Sequence, residues 1–246
     1  MDKSLYVAMS GAKQTLLAQT ANANNLANTQ TTGFKSDLEQ FRSQPVFGAG
    51  FPTRVYAQTE NPGTDFTPGS IQITGRDLDV AISGNGWIAV QSPSGDEAYT
   101  RAGDLQVSPE GILQTSAGLP VLGQGGPIAI PPVQKLEIGK DGTISIIPLG
   151  TNATNLAVVD RIKLVNPPVD TLEKGKDGLI RTKDKVPAQA SAEVSLNSGS
   201  LEASNVNSIK AMVDMIELSK NFELQTKVMS AVKDNAASSS QLLRLA

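Results

Sequence analysis

The last part of the chain repeats large apolar side chains at a spacing of seven residues. No Pro or Gly interrupts residues 204–246. The repeating positions are Met215, Phe222, Met229, Ala236 and Leu243, and the stripe is widened near its start by Ile209, Met212, Val213 and Ile216. This spacing predicts one long helix, capped by Asn205 or Asn207, that lies against other helices.

The second heptad line predicted for this helix is half polar. It consists of Met212, Ser219, Thr226, Lys233 and Ser240. A half-polar line does not hold a tight two-stranded coiled coil, because polar side chains in the seam lose water without gaining apolar contacts. The pattern therefore favours a helix whose neighbours are supplied by an assembly.

The first 33 residues contain a second heptad pattern, at alternating steps of four and three. Its members are Leu5, Met9, Ala12, Leu16, Gln19, Ala23 and Leu26. The pattern predicts a helix, and Gly33 is its predicted C-terminal stop. Because neither terminal helix has an apolar partner next to it in sequence, we expect the two ends to pair as an antiparallel, coiled-coil-like α domain.

The balance between apolar burial and conformational entropy predicts that the two helices become stable only when subunits assemble. Burying roughly a dozen seam side chains yields a few tens of kcal/mol at most. Ordering about 70 backbone residues costs ~1–2 kcal/mol for each residue. We therefore predict that both ends are largely disordered in the free monomer and fold when subunits associate.

Between the two ends the pattern changes to short apolar runs separated by turn residues. The runs at 78–82 and 87–91 flank a glycine turn and predict a hairpin. Prolines recur in residues 34–75, which we expect to be extended and to contain short strands. The predicted fold is α+β: residues 1–33 form the N-terminal helix, 34–75 a connector, 76–199 an inserted all-β domain of short strands, and 200–246 the C-terminal helix.

Composition narrows the possible functions. The chain has 246 residues, a net charge of −3 and neither His nor Cys. It therefore lacks the commonest general base, the commonest metal ligand and any thiol. The acidic balance supplies no basic stripe for nucleic acid. No run approaches the ~20 apolar residues of a membrane span, and the start has no signal-peptide pattern, so we expect export without a cleaved signal.

The only candidate catalytic pair is Asp77 and Asp79. Strand alternation would place both carboxylates on one face, as in an enzyme that hydrolyses glycans. A solvated strand face is the competing interpretation. Glycine-rich stretches such as 123–126 lack the Lys-Ser/Thr of a phosphate-binding loop. We predict no catalytic residue, cofactor or metal site.

Motifs along nearly the whole chain resemble those of the bacterial flagellar rod and hook protein family. The opening signature is similar in Asn24-Asn25-Leu26-Ala27-Asn28-Thr29 and Thr32-Gly33-Phe34-Lys35, and the closing helix in Ser204-Asn205-Val206-Asn207, Met212, Met215-Ile216 and Phe222. The β domain of that family is resembled by residues 78–82, 99–103 and 118–123. Met1-Asp2, Thr67-Pro68-Gly69 and Gly86-Trp87 look most like a proximal rod member.

This resemblance implies a structural subunit of the proximal rod, the periplasmic drive shaft that transmits motor torque and encloses the export channel. It implies secretion by the flagellar export apparatus and contacts with other proximal rod subunits, the distal rod protein and like chains in a helical tube. It implies no nucleic acid and no membrane insertion. We expect the subunit interface to contain Leu5, Met9, Leu16, Asn24, Asn25, Leu26, Asn28, Gly33, Phe34, Asn205, Val206, Asn207, Met212, Met215, Ile216, Phe222 and Met229.

Three alternatives stay open. A distal rod or hook subunit would share the same architecture. An enzyme acting on cell-wall glycan would depend on Asp77 or Asp79. A soluble adhesin or fibre domain would keep its binding after removal of both helices.

Overall fold

The computed structural model describes residues 4–47, 55–148 and 156–244, without the side chains of 59–62 and 242–244. Met1 and Asp2 of the opening motif, the side chain of Leu243, and two prolines of residues 34–75, Pro52 and the side chain of Pro62, lie outside this description. The described chain is α+β and divides into two compact units.

The first unit is drawn from both ends of the chain and one hairpin: Met1–Asn28, Ser36–Asp65 and Val206–Ala246. Its elements are helix α1 (Ser4–Ala27), strands β1 (Asp37–Pro45) and β2 (Val55–Thr64), and helix α2 (Ser208–Arg244). β1 and β2 pair antiparallel, with an irregularity between Leu38 and Gln40. The two predicted terminal helices and the short strands predicted after residue 34 are confirmed.

α1 ends at Ala27, so the prediction that Gly33 stops this helix is wrong. The Asn28 N–H reaches the carbonyl oxygens of Asn24 and Asn25 at 3.1 and 3.2 Å and closes the last turn. Several Asn residues with low helix propensity precede this end, and the helix stops among them. Gly33 lies in the second unit with a left-handed backbone, φ +66°.

The second unit, Thr29–Lys35 and Phe66–Asn205, holds the remaining strands. They are β3 (Ile71–Ile73), β4 (Val80–Ser83), β5 (Trp87–Gln91), β6 (Glu97–Thr100), β7 (Leu105–Val107), β8 (Leu113–Thr115), β9 (Val133–Ile138), β10 (Thr143–Pro148), β11 (Ala157–Arg161), β12 (Leu164–Val165), β13 (Leu172–Lys174), β14 (Ile180–Thr182), β15 (Ser195–Ser198) and β16 (Ser200–Glu202), with a 3-10 turn at Val169–Thr171. A five-stranded sheet has the order β12-β5-β6-β14-β13, and a three-stranded sheet has the order β11-β10-β9. The pairs β15-β4, β16-β3 and β7-β8 complete the antiparallel β domain.

The predicted hairpin across residues 83–86 is wrong. β4 pairs with β15, whereas β5 lies between β12 and β6. Gly86, at φ +136°, lets this turn carry the chain from one sheet to another. By contrast, two Gly-Lys-Asp-Gly stretches, residues 139–142 and 175–178, close the hairpins β9-β10 and β13-β14. In each, the N–H of the last glycine donates to the carbonyl oxygen of the first at 3.0 Å.

β5 separates two apolar cores. Its side chains alternate, as the pleat of a strand requires. Ile88 and Val90 enter the larger core, which is built from Val, Ile and Leu of most of the other strands. Trp87 and Ala89 enter a smaller core that also contains Tyr99. Since both faces of β5 are buried, its sequence is a continuous apolar run rather than an alternating one.

Candidate assembly interface

Within the first unit, α1 and α2 run antiparallel and meet through small and polar side chains. The Asn22 side-chain amide donates to the carbonyl oxygen of Ala211 at 2.7 Å. The Gln225 amide donates to the Thr15 hydroxyl oxygen at 3.2 Å. Gly11 leaves room for that amide, since a Cβ at Gly11 would lie 3.1 Å from Gln225 Nε2. The close approach of the two helices therefore depends on the smallest residues of α1.

The predicted seam of α1 lies mostly in solvent. The buried positions of α1 are Ala12, Thr15, Ala18 and Asn25. Ala12 is the one seam member among them, whereas Leu5, Met9 and Leu16 are 40–54% exposed. The helix thus buries its small side chains within the chain and leaves its large apolar side chains outside.

α2 also has one side that is buried or half-buried and another that is exposed to solvent. Its buried and half-buried positions at steps of four and three are Ala211, Met215, Leu218, Phe222, Gln225, Met229 and Val232. The predicted line through Met215, Phe222 and Met229 lies on this side. The predicted second line through Met212 and Ser219 does not face α1. The second line beside α1 starts at Ala211, whose carbonyl oxygen accepts from Asn22. Met212 is 54% exposed.

The predicted Asn residues satisfy backbone groups inside the chain. Asn207 Oδ1 accepts a backbone N–H of the first turn of α2 at 3.0 Å, which confirms the predicted cap. The buried Asn25 amide binds both backbone groups of Asp37, each at 2.8 Å, as a neighbouring strand would. Asn28 donates to the carbonyl oxygen of Asn24 at 2.9 Å.

The remaining predicted interface residues differ in exposure. Ile216 is 56% exposed, whereas Leu26 and Val206 are half-buried.

In the second unit, the buried carboxylate of Glu202 joins two cations. Lys35 Nζ lies 2.7 Å from Oε1, and Arg101 Nη1 lies 2.7 Å from Oε2. The backbone N–H of Gly69 donates to Oε1 at 3.0 Å. All three charged side chains are 1–3% exposed. We call Lys35, Arg101 and Glu202 the ionic junction.

Hydrogen bonding keeps the ionic junction charged. Burial alone would raise the pKa of Glu202, but the bonds from Lys35, Gly69 and Arg101 outweigh it and hold that pKa below its ordinary value. A buried ion pair is tolerated when such bonds use the lone pairs of the carboxylate.

Aromatic rings and glycines enclose the ionic junction. The Arg101 guanidinium lies 5.2 Å from the centre of the Trp87 ring, which meets Phe66 edge-on at 5.7 Å. The Gly33 N–H donates to the Glu202 carbonyl oxygen at 2.8 Å. A Cβ on Gly33 would overlap the backbone of Arg101, so no larger residue fits there.

Two further predicted residues lie beside the ionic junction. The ammonium of Lys174 sits 4.1 Å from the centre of the Phe34 ring and donates to the Lys35 carbonyl at 2.7 Å. The Asn205 amide donates to the Thr67 carbonyl oxygen at 3.3 Å. The motifs that carry the family resemblance at 32–35, 67–69, 99–103 and 204–205 thus meet in one place within the second unit.

Sequence reasoning missed the ionic junction. Lys35 and Arg101 stand inside the quoted motifs, but nothing in their spacing pairs them with Glu202, which is 167 positions from Lys35 and 101 from Arg101. The available signal is indirect: each is a charged residue among small and apolar neighbours in a stretch otherwise typical of a core.

The two candidate carboxylates do not form a pair, and only Asp79 makes structural contacts. Asp77 lies in a turn and is exposed, so the prediction that it shares a strand face with Asp79 is wrong. Asp79 is buried, accepts the Thr74 hydroxyl at 2.7 Å and lies 3.5 Å from Arg76 Nη1. The Asp79 N–H bonds the Arg76 carbonyl, which makes the turn that separates the two carboxylates.

Two properties of the described residues bear on other functions. Among residues 4–47, 55–148 and 156–244, no three Asp or Glu side chains cluster closely enough to hold a metal ion. Neither α1 nor α2, over the part of each helix that the structure describes, is long and apolar enough to cross a membrane.

Three family models match the chain. Residues 5–35 match the model described as flagella basal body rod protein. Residues 81–146 match the flagellar hook protein FlgE/F/G D1 domain. Residues 197–242 match the flagellar basal body rod FlgEFG protein C-terminal model.

Individual relatives match over full length. The flagellar basal-body rod proteins FlgF of Escherichia coli (strain K12) and of Salmonella typhimurium (strain LT2) are 44% and 41% identical, each over 100% of both chains. The flagellar basal-body rod protein FlgG of Buchnera aphidicola (subspecies Acyrthosiphon pisum) is 30% identical over 98% of this chain and 100% of the relative. The chain therefore belongs to the flagellar basal-body rod protein F (FlgF) family, whose terminal and β-domain motifs it carries.

Proposed function

We propose that this chain is a structural subunit of the proximal flagellar rod, the periplasmic drive shaft that transmits motor torque and encloses the export channel. The observation that carries this proposal is the 44% identity over the full length of both chains to a flagellar basal-body rod protein FlgF. The identity to a flagellar basal-body rod protein FlgG is lower, at 30%, which supports grouping the chain with the FlgF proteins.

The distribution of apolar side chains supports a role in assembly. α1 and α2 present large apolar side chains to solvent on the sides away from their mutual contact. Such surfaces on a soluble chain are characteristic of interfaces with other proteins. In the assembled rod, the two helices line the tube and pack against neighbouring subunits at the predicted interface residues, and the β domain forms the outer wall and carries torque.

The proposed partners of the chain are other rod proteins, identical or related chains, and the export apparatus. The flagellar export apparatus delivers the subunit, and the rod spans the periplasm. The subunit has no catalytic role. The environments of Asp77 and Asp79 support this, because one carboxylate is exposed and the other is bound to Thr74.

Deletion and complementation in the source bacterium test the proposal. A strain lacking the chain should be non-motile and should make basal bodies without a complete rod, and the tagged wild-type chain should restore both. Immunoblots of isolated basal bodies should find the chain in few copies, whereas a distal rod or hook subunit would be present in many. Presence of complete, functional rods in the deletion strain would refute the proposal.

Asp77→Asn separates the structural role from the enzymatic alternative. Asp77 is exposed, so the substitution should leave folding and swimming unchanged. Loss of motility together with loss of glycan hydrolysis by the purified protein would favour an enzyme.

A further inference from the structure

The turn between β4 and β5 contains the one Asn-Gly step of the sequence, Asn85-Gly86. Asn85 is exposed, and Gly86 has a backbone φ of +136°, which residues with a side chain rarely adopt. A Cβ at Gly86 would lie 2.6 Å from Val194 Cγ1, so the fold admits no larger residue there. The turn therefore keeps a residue without a side chain directly after an exposed side-chain amide.

The two groups that can react with each other at this step make no hydrogen bonds. In the part of the chain that the structure describes, neither the Asn85 side chain nor the Gly86 N–H is hydrogen-bonded. The pairing of β5 with β12 begins one residue later, at Trp87. The Gly86 nitrogen is thus free to approach the side-chain carbonyl carbon of the residue before it.

Two Asp-Gly steps of the β domain show how a turn blocks the same chemistry. In Asp141-Gly142 and Asp177-Gly178, the glycine N–H donates to a carbonyl oxygen three residues earlier at 3.0 Å. Each carboxylate is also bound, the first by a hydroxyl and the second by a guanidinium, both at 2.6 Å. These bonds hold the pKa of both carboxyls below the ordinary value, and a carboxylate resists attack by a nitrogen.

We propose that Asn85 is a site of spontaneous modification, at which its side-chain amide is lost through a cyclic imide formed with Gly86. The Gly86 nitrogen attacks Asn85 Cγ, the new N–Cγ bond replaces the Cγ–Nδ2 bond, and the leaving nitrogen takes the glycine proton as ammonia. A water molecule then opens the ring. Its addition at Cγ gives aspartate, and its addition at the backbone carbonyl carbon gives isoaspartate. The reaction consumes only water and does not depend on the proposed function.

Isoaspartate would lengthen the backbone of a turn that is held on both sides. The Gly84 carbonyl oxygen accepts from Arg101 Nη2 at 2.8 Å, and Gly86 is packed against Val194. In isoaspartate the backbone runs through Cγ, which adds one carbon between these two points. The Gly84 oxygen must therefore shift relative to Arg101.

The bond to Gly84 matters because Arg101 belongs to the ionic junction. Arg101 is buried, and among the described residues its Nε has no hydrogen-bond partner. Loss of Gly84 as an acceptor would leave this guanidinium with Glu202 alone, and a buried donor without an acceptor costs stability. Aspartate at position 85 keeps the ordinary backbone, so only the isoaspartate form should weaken the ionic junction.

Ageing of the purified full-length protein tests the inference. Wild type, Asn85→Ser and a synthetic peptide of residues 77–101 are incubated side by side in warm, mildly basic buffer. Trypsin cuts after Arg76 and Arg101 and so releases the same residues from the protein, a fragment in which Asn85 is the only Asn. Mass spectrometry follows the loss of the amide, and enzymatic methylation specific for isoaspartate identifies that product. Asn197, exposed in β15 and followed by Ser, is the control within the same unit.

Asn85 in the folded protein should lose its amide within tenfold of the peptide's rate and at least tenfold faster than Asn197, with isoaspartate among the products. A folded protein that reacts more than tenfold slower than the peptide would overturn the inference, because the fold would then protect the step. So would the same mass change in Asn85→Ser, or aspartate without isoaspartate.

Urea denaturation separates the added charge from the longer backbone. Asn85→Asp carries the charge on an ordinary backbone at an exposed position, so its midpoint, followed by Trp87 fluorescence, should match that of fresh wild type. Aged wild type should show a second transition at lower urea, in proportion to its isoaspartate. A single, unshifted transition in aged protein that contains isoaspartate would refute the effect on the ionic junction.

Discussion

Removing the charge of Glu202 should destabilise the β domain severely. Glu202→Gln keeps the size of the side chain but leaves Lys35 and Arg101 as two buried cations, with side chains 2–3% exposed, beside a neutral amide. The amide keeps only one of the two carboxylate oxygens as an acceptor, and its NH2 group would face donors at the other position. Breaking a buried pair in this way costs about 3–5 kcal/mol of unfolding free energy, because an uncompensated charge stays in the interior.

The chain supplies its own probe and control. Trp87, the one Trp of the sequence, lies 5.2 Å from the Arg101 guanidinium, so its fluorescence reports on the unit that contains the ionic junction. Glu137→Gln is the matched control: it removes the same charge from an ion pair with Lys135 at 2.6 Å, but both side chains are about half exposed. An exposed pair contributes about 0–1 kcal/mol.

Urea denaturation of the full-length protein, followed by Trp87 fluorescence, measures both effects. Glu202→Gln should lower the midpoint with little change in slope, and in thermal melts it should lower Tm by roughly 10 °C for a unit of this size. If Glu202→Gln stays within about 1 kcal/mol of wild type and of Glu137→Gln, the ionic junction does not hold the β domain and the reasoning fails.

The ionic junction, Gly33 and the terminal helices give four further predictions. The fold lowers the pKa of the buried Glu202 carboxyl. The carboxylate's contribution to the free energy of unfolding is therefore complete above the ordinary pKa of 4.5 and is lost as the pH falls through the lower pKa of the folded state. Wild type should thus lose stability in acid more steeply than Glu202→Gln. Gly33→Ala should cost roughly 2 kcal/mol more than Gly178→Ala in urea melts, because both glycines have positive φ but only the first would overlap the Arg101 backbone. Phe222→Ala should abolish swimming in soft agar while leaving the Trp fluorescence melt of the β domain unchanged, and normal swimming would contradict it. Circular dichroism and limited proteolysis of the purified monomer should show little helix and protease-sensitive ends, whereas stable helical ends before assembly would contradict folding on association.

Periodicity was sufficient to predict both terminal helices. Met215, Phe222 and Met229 recur at a heptad spacing that no strand would use, and the structure places all three on one side of α2. Strand positions were also predictable, since apolar runs such as 87–91 are bounded by turn residues. These are local signals, because each depends on residues within two or three turns of one another.

The contact between the helices could not be predicted in the same way. Apolar patterns identify large side chains, but α1 meets α2 through Gly11, Thr15 and Asn22. Small residues serve such a contact by letting the backbones approach, and their value depends on what lies opposite. The line of α2 that contains Ala211 and Gln225 and faces α1 could not be predicted for the same reason, since these two residues carry little apolar signal.

The ionic junction and the sheet order depend on contacts between distant residues. Lys35, Arg101 and Glu202 come from three segments whose meeting is set by the pairing of β strands, and a single sequence contains no record of that pairing. The turn at 83–86 shows the same limit: its glycines predict a change of direction, but not that β4 pairs with β15 more than one hundred residues later.

The contact between the helices and the ionic junction stabilise different parts of the chain. The junction ties the segment that leads into the β domain, at Gly33 and Lys35, to the segment that leads out of it, at Glu202. Because the segments that lead into and out of the β domain are bonded to each other, this domain does not need the terminal helices to hold its ends together. The helices can then keep their largest apolar side chains for other subunits, because the stability of the β domain does not depend on burying them. A fold organised in this way permits one half of a rod subunit to be stable before assembly and the other half to become stable through it.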